Sequence, residues 1–138
     1  MFILDTNVLS SLMAVRPEPR IAAWVDARPR AELFTVAVCQ AEILAGLAIM
    51  PVGRRRRALE AAARSVFAEG FGDRVLSFDA AAAVVYADLF ASRRRAGRPV
   101  APPDLMIAAI ARLHGASVVT RNTSDFEGCG IALVNPWT

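Results

Sequence analysis

Lysine is absent: all 16 basic residues of the 138 are arginine, against 13 Asp and Glu, for a net charge of +3. That absence excludes a P-loop NTPase, a Schiff-base enzyme, and a phosphoacceptor domain or phosphatase that neutralises phosphate with an ammonium group. Histidine is nearly missing too. His114, the only one, falls at the expected C-terminal end of a helix, where a cation interacts with the helix dipole rather than with a reacting group. Cys39 and Cys129 stand 90 positions apart without a CxxC partner, which excludes a zinc or redox motif and makes them reduced packing residues. The longest apolar runs, Ala80–Ala87 and Leu105–Ala111, fall well short of the ~18 residues of a membrane span. Met1-Phe2-Ile3-Leu4 passes directly into Asp5, with no basic n-region or long apolar segment for secretion. A cytoplasmic protein without membrane association is the expectation.

What the chain does have is apolar bulk, at 55% hydrophobic residues, and enough length for one domain, 1–138, whose core needs neither disulfide nor metal. Short apolar runs alternate with helix-like segments. Strands are predicted at Phe2–Leu4, Leu33–Val36, Val75–Phe78, Ser117–Thr120 and Ile131–Val134. Between them the pattern predicts helices over Leu9–Val15, Arg20–Arg28, Val38–Met50, Arg54–Phe67, Ala80–Arg95 with Asp79 as cap, and Asp104–His114 launched by Pro102-Pro103. This alternation predicts an α/β fold with a mainly parallel central sheet flanked by helices.

In such a sheet, ligands bind beyond the carboxyl ends of the strands, so the acids found there are candidates for chemistry. Asp5 ends the first strand, and Asp125 follows the fourth. Asp104 lies in the first turn of its helix, and Glu42 interrupts an apolar helix just after the second strand. Singly, each has an ordinary role: an Asx-turn for Asp5, a dipole partner for Asp104, a loop solubiliser for Asp125, a surface residue for Glu42. Together they converge on one edge without a lysine to neutralise them. Carboxylates held within a few ångströms repel one another and raise their pKa values unless a cation binds. An all-oxygen donor set suits Mg²⁺ or Mn²⁺, whereas zinc prefers His and Cys ligands that are scarce here.

Phe2-Ile3-Leu4-Asp5-Thr6-Asn7-Val8, Glu42, Pro103-Asp104-Leu105-Met106-Ile107-Ala108-Ala109, Thr120-Arg121-Asn122 and Asp125-Phe126 form an ordered set across the whole chain. In this set the sequence resembles a PIN-domain ribonuclease, specifically a VapC-type toxin of a toxin–antitoxin system, near the FitB-like branch. The resemblance implies metal-dependent endoribonuclease activity on RNA with Mg²⁺ or Mn²⁺. It assigns metal-binding and catalytic roles to Asp5, Glu42, Asp104 and Asp125, with Thr6, Asn7 and Asn122 as supporting polar residues, Asn122 sharing part of the role of Asp125. It also implies a homodimer and a cognate VapB-type antitoxin that blocks the site, with DNA contacted only indirectly through the antitoxin.

With the four acids set aside, the remainder carries 16 basic against 9 acidic residues, a net +7 that places an acidic pocket in a basic body. Such a body suits a polyanion, since guanidinium groups grip phosphate bidentately. Arg54–Arg57 opens one helix and Arg93–Arg95 with Arg98 closes another; each is also readable as a solvated face. Trp24, Leu44, Leu47 and Met50 belong to helices richer in apolar residues than one buried face requires, and are either core or a partner surface. Two other functions compete with the ribonuclease: a structure-specific DNA nuclease, for which 138 residues leave little room for DNA-clamping elements, and a catalytically silent module that acts with a DNA-binding partner. All four acids being present argues against the silent module.

Overall fold

A computed structural model describes residues 1–138. It contains β1 (Phe2–Leu4), α1 (Thr6–Met13), α2 (Pro19–Asp26), β2 (Leu33–Val36), α3 (Ala37–Ala48), α4 (Arg54–Ser65), β3 (Val75–Leu76), α5 (Ala80–Arg95), α6 (Pro102–His114), β4 (Ser117–Val119) and β5 (Leu133–Val134). A π-helical turn over Val66–Phe71 follows α4, and 3-10 turns occupy Arg30–Glu32, Gly72–Arg74 and Thr123–Phe126.

The five strands are ordered β3-β2-β1-β4-β5, and every pairing is parallel. β1 is therefore central, with Phe2 opposite Leu33 on one side and Ser117 on the other. Since the chain moves outward from β1 first through β2 and then through β4, the strand order reverses beside β1, and the carboxyl ends of β1 and β4 flank the reversal. Parallel strands need both faces covered. Ile3, Leu4, Val118 and Val119 are accordingly buried, and the middle of α6 is sunk into the core through Leu105, Ile107, Ala108, Ala109, Ile110 and Ala111, while its two ends are exposed. Pro102 starts α6 where no N–H is needed, and Gly115, in the left-handed region at φ 63°, ends it.

The predicted elements all form, with instructive shifts at their ends. α1 begins at Thr6 rather than Leu9, because the Asp5 carboxylate accepts the Thr6 N–H at 2.8 Å and caps the helix. Ser77 and Phe78 lie beyond β3, and β5 starts at Leu133 rather than Ile131. Cys39 and Cys129 are free and buried. Leu47 joins the core, Trp24 and Met50 pack against it, and Leu44 remains exposed. No helix is long and apolar enough to cross a membrane.

Candidate active site

At the carboxyl end of β1, Asp5 is only 6% exposed and each of its oxygens has a donor. Oδ1 accepts the Thr6 N–H and lies 3.7 Å from the Cys39 thiol, which donates to it. Oδ2 accepts the Thr120 hydroxyl at 2.7 Å and the Asn7 amide at 3.4 Å. Thr120, fully buried one residue beyond β4, is itself saturated, since its Oγ1 accepts from Asn7 Nδ2 at 3.2 Å and from the Asn122 N–H at 3.1 Å. Asn7 Oδ1 then accepts the Arg121 N–H and ties α1 to the loop after β4. A buried carboxylate with this many donors is fixed in one orientation.

Around this anchor stand the other three acids. Glu42 on α3 is exposed and its Oε1 accepts the Thr6 hydroxyl at 3.2 Å. Its pKa is raised by partial burial and by Asp5, and lowered by the Thr6 bond. Asp104, in the first turn of α6, is pushed up to about 6, first by burial and then by the negative charges of Asp5, Asp125 and Glu42. Asp125, in the 3-10 turn after β4, is exposed. None of the four forms a salt bridge; the ion pair of this chain is Arg56–Glu60, on α4. Burial also drives the Cys39 thiol up to about 12, with Asp5 next in effect, so Cys39 stays protonated as a hydrogen-bond donor.

The family model for the PIN domain matches residues 2–128. This chain belongs to the PIN domain family. Among its relatives, the plasmid stability protein StbB of Pseudomonas syringae pv. tomato is 40% identical over 137 residues, covering 99% of each chain. The VapC ribonuclease Y4jK of Sinorhizobium fredii is also 40% identical, over 99% of this chain and 98% of its own. Among solved structures, FitAB bound to an IR36 DNA fragment contains a chain that superposes with a TM-score of 0.93 at 32% identity, over 100% of this chain and 96% of that one.

Within this PIN domain the four sequence-predicted acids share one electrostatic field at one sheet edge, as the causes acting on Asp104 require. They are not closed into a shell: no three acidic, Cys or His side chains sit close enough to hold a metal ion as they stand. Thr6 and Asn7 both bond to the acids, while Asn122 contributes its backbone N–H to Thr120. The sequence names Thr120 only within the segment Thr120-Arg121-Asn122, without a role of its own, and reads Cys39 as a packing residue; the pairing of β1 with β4 and the packing of α3 bring both to Asp5. His114 is exposed in the last turn of α6, at the end opposite Asp104.

Proposed function

We propose that this PIN domain is a metal-dependent endoribonuclease, the toxin of a type II toxin–antitoxin module. The observation that carries the reading is Asp104. Its carboxyl is raised to about 6 by burial and three neighbouring acids, with no arginine paired to any of the four. An all-oxygen set with uncompensated negative charge fits Mg²⁺ or Mn²⁺. Asp5 and Asp104 would hold the ion, with Glu42 and Asp125 as the further carboxylates of the set. When bound, the ion lowers the pKa of water and offsets charge on the phosphodiester.

The chain's own residues supply position. Thr120, Cys39 and the Thr6 N–H keep Asp5 from rotating, so its charge stays fixed at the carboxyl end of β1. Glu42, steadied by the Thr6 hydroxyl, is the group placed to orient water. The water oxygen attacks phosphorus as the P–O3′ bond breaks, and one proton of that water passes through solvent to the leaving 3′-oxygen, giving 5′-phosphate and 3′-hydroxyl ends. The name of the 40%-identical VapC ribonuclease supports RNA as substrate. FitAB on DNA supports an antitoxin partner that brings DNA contact with it, and a homodimer is the assembly this reading expects.

Incubating purified protein with a mixed RNA pool tests the proposal, with Mg²⁺ or Mn²⁺, with EDTA, and with Asp5→Asn and Asp104→Asn. Cleavage that EDTA and both substitutions abolish supports it. Equal cleavage by the variants, or metal binding without cleavage of any RNA, overturns it in favour of another site or a silent binding module.

A further inference from the structure

Beside the acids lies a cleft of about 190 Å³ whose lining includes Arg93, Arg98, Asp104, Ser124, Asp125 and Glu127. Two guanidinium groups and three carboxylates thus face one small space, yet no salt bridge joins them. Arg93 is held in the last turn of α5 with Nη1 donating to the Gly128 carbonyl at 3.4 Å. Its Nε is buried without a partner, the only side-chain nitrogen or oxygen in the molecule so left. Gly128 sits at φ 80°, and a Cβ there would overlap the Arg93 guanidinium, so this glycine serves both the turn and the room that Arg93 occupies.

A second cavity of about 240 Å³ adjoins the first through Arg93, Pro99 and Val100, and adds Phe90, Arg94 and Leu105. Its character is different: apolar walls replace carboxylates. Phe90 is 46% exposed and its ring is stacked on Tyr86 at 6.3 Å between centroids, which fixes its plane.

We propose that this double cleft is a nucleotide subsite for single-stranded RNA, with Arg93 and Arg98 gripping a phosphate beside the acids and Phe90 carrying the adjoining base. The inference rests on the ribonuclease reading for the identity of its polyanion. Opposite charges that line one cavity without pairing suit a ligand that is itself dipolar, and a phosphate with its cation is one. The carboxylates face the cation and the arginines face the phosphate, which the terminal guanidinium nitrogens of Arg93 and Arg98 grip, while the buried Nε marks Arg93 as a cation whose bonding inside the chain is incomplete. An aromatic face one step from a phosphate grip is the arrangement by which single strands are bound without sequence readout.

The test is binding, read apart from cleavage. Fluorescence anisotropy of a labelled 12-nucleotide single-stranded RNA, in EDTA and again with Ca²⁺ in place of Mg²⁺ or Mn²⁺, over a salt series, gives affinity and the slope of log K against log salt. Arg93→Gln with Arg98→Gln is expected to weaken binding and to reduce the slope by about 0.7 per lost phosphate contact. Arg16→Gln, on an exposed loop far from both cavities in sequence, should change neither. Phe90→Ala should weaken binding at least about fivefold with the slope intact, and Phe90→Trp should restore it, which separates stacking from a folding defect. Unchanged affinity and slope in the double arginine variant, while the wild type cleaves RNA, overturn the subsite and leave the nuclease standing. Wild-type binding that needs Arg93 and Arg98, without cleavage in Mn²⁺, sinks the nuclease and keeps the subsite. A double variant that binds RNA normally but changes oligomeric state makes the cleft a contact between copies, and the subsite falls.

Discussion

Arg74 and Arg93 occupy opposite ends of the sheet and live by opposite rules. At the amino end, Arg74 donates to the backbone carbonyls of Arg30, Leu33 and Gly70 and lies 5.7 Å from the Phe71 ring centroid. It joins the turns that precede β2 and β3, with three of its five N–H groups bonded to backbone carbonyls. At the carboxyl end, Arg93 keeps a buried Nε unpartnered and lines a cleft with carboxylates to which it forms no salt bridge. The acids differ in a milder way, since Asp5 is held in one orientation by its donors, two of them long at 3.4 and 3.7 Å, while the Asp104 carboxyl is raised by burial and by the neighbouring negative charges. An arginine spent on backbone carbonyls is a structural part, whereas one left incomplete in a cleft waits for something outside the chain.

The largest effect expected from breaking this contrast is on catalysis. Asp5→Asn and Asp104→Asn should each lower RNA cleavage by at least about 100-fold, more than the loss typical for residues that only support a metal ligand. Circular dichroism should show both variants folded, and near-normal turnover in either would remove the acids from the reaction. Arg74→Met should do the reverse. Leaving three carbonyls without their charged donor is expected to cost about 2 kcal/mol in denaturant unfolding while activity per folded molecule holds. A fall in activity at unchanged stability would mean that the two ends are not separable.

Thr120 sharpens the comparison because it lies at the carboxyl end yet is fully bonded. Thr120→Val keeps the shape and removes the hydroxyl, leaving Asp5 Oδ2 and Asn7 short of a partner. Mn²⁺ affinity should drop about tenfold or more, and Thr120→Ser should restore it. If Ser fails to rescue, packing of the threonine methyl rather than its hydroxyl governs the site.

How much of this was legible in the sequence follows from the range of each interaction. The strand Phe2–Leu4 ending at Asp5, and the helix launched by Pro102-Pro103 with Asp104 in its first turn, are local patterns, and both were readable. The early start of α1 was not, because Asp5-Thr6-Asn7 reads equally as a turn and as a helix cap. Thr120 and Cys39 reach Asp5 from 115 and 34 positions away, so although Thr120 lies in a recognisable segment, no local pattern shows that either residue bonds to Asp5. The run Arg93–Arg95 is visible as a cluster of charge, but Arg93 is singled out by helical phase and by a glycine 35 positions on. Sequence thus singled out charged groups that break a local apolar pattern more readily than the neutral groups that orient Asp5.

The smallest effect is on stability against pH, and its sign is fixed by Asp104. Its carboxyl rises from an ordinary 3.8 to about 6, with burial the first cause and Asp5, Asp125 and Glu42 following. The folded chain therefore keeps a proton that the unfolded chain releases, and the stability linked to this group is complete below about 4 and lost as pH rises through about 6. Glu42, raised in the same direction, adds to the trend. Other groups titrate in the same interval, so the informative quantity is the Tm of Asp104→Asn minus that of the wild type, both metal-free. That difference should grow from pH 4 to pH 7, and saturating Mn²⁺ should shrink it at pH 7 by stabilising the wild type. A difference constant with pH would mean that Asp104 feels no excess of negative charge, and the uncompensated edge would lose its cause.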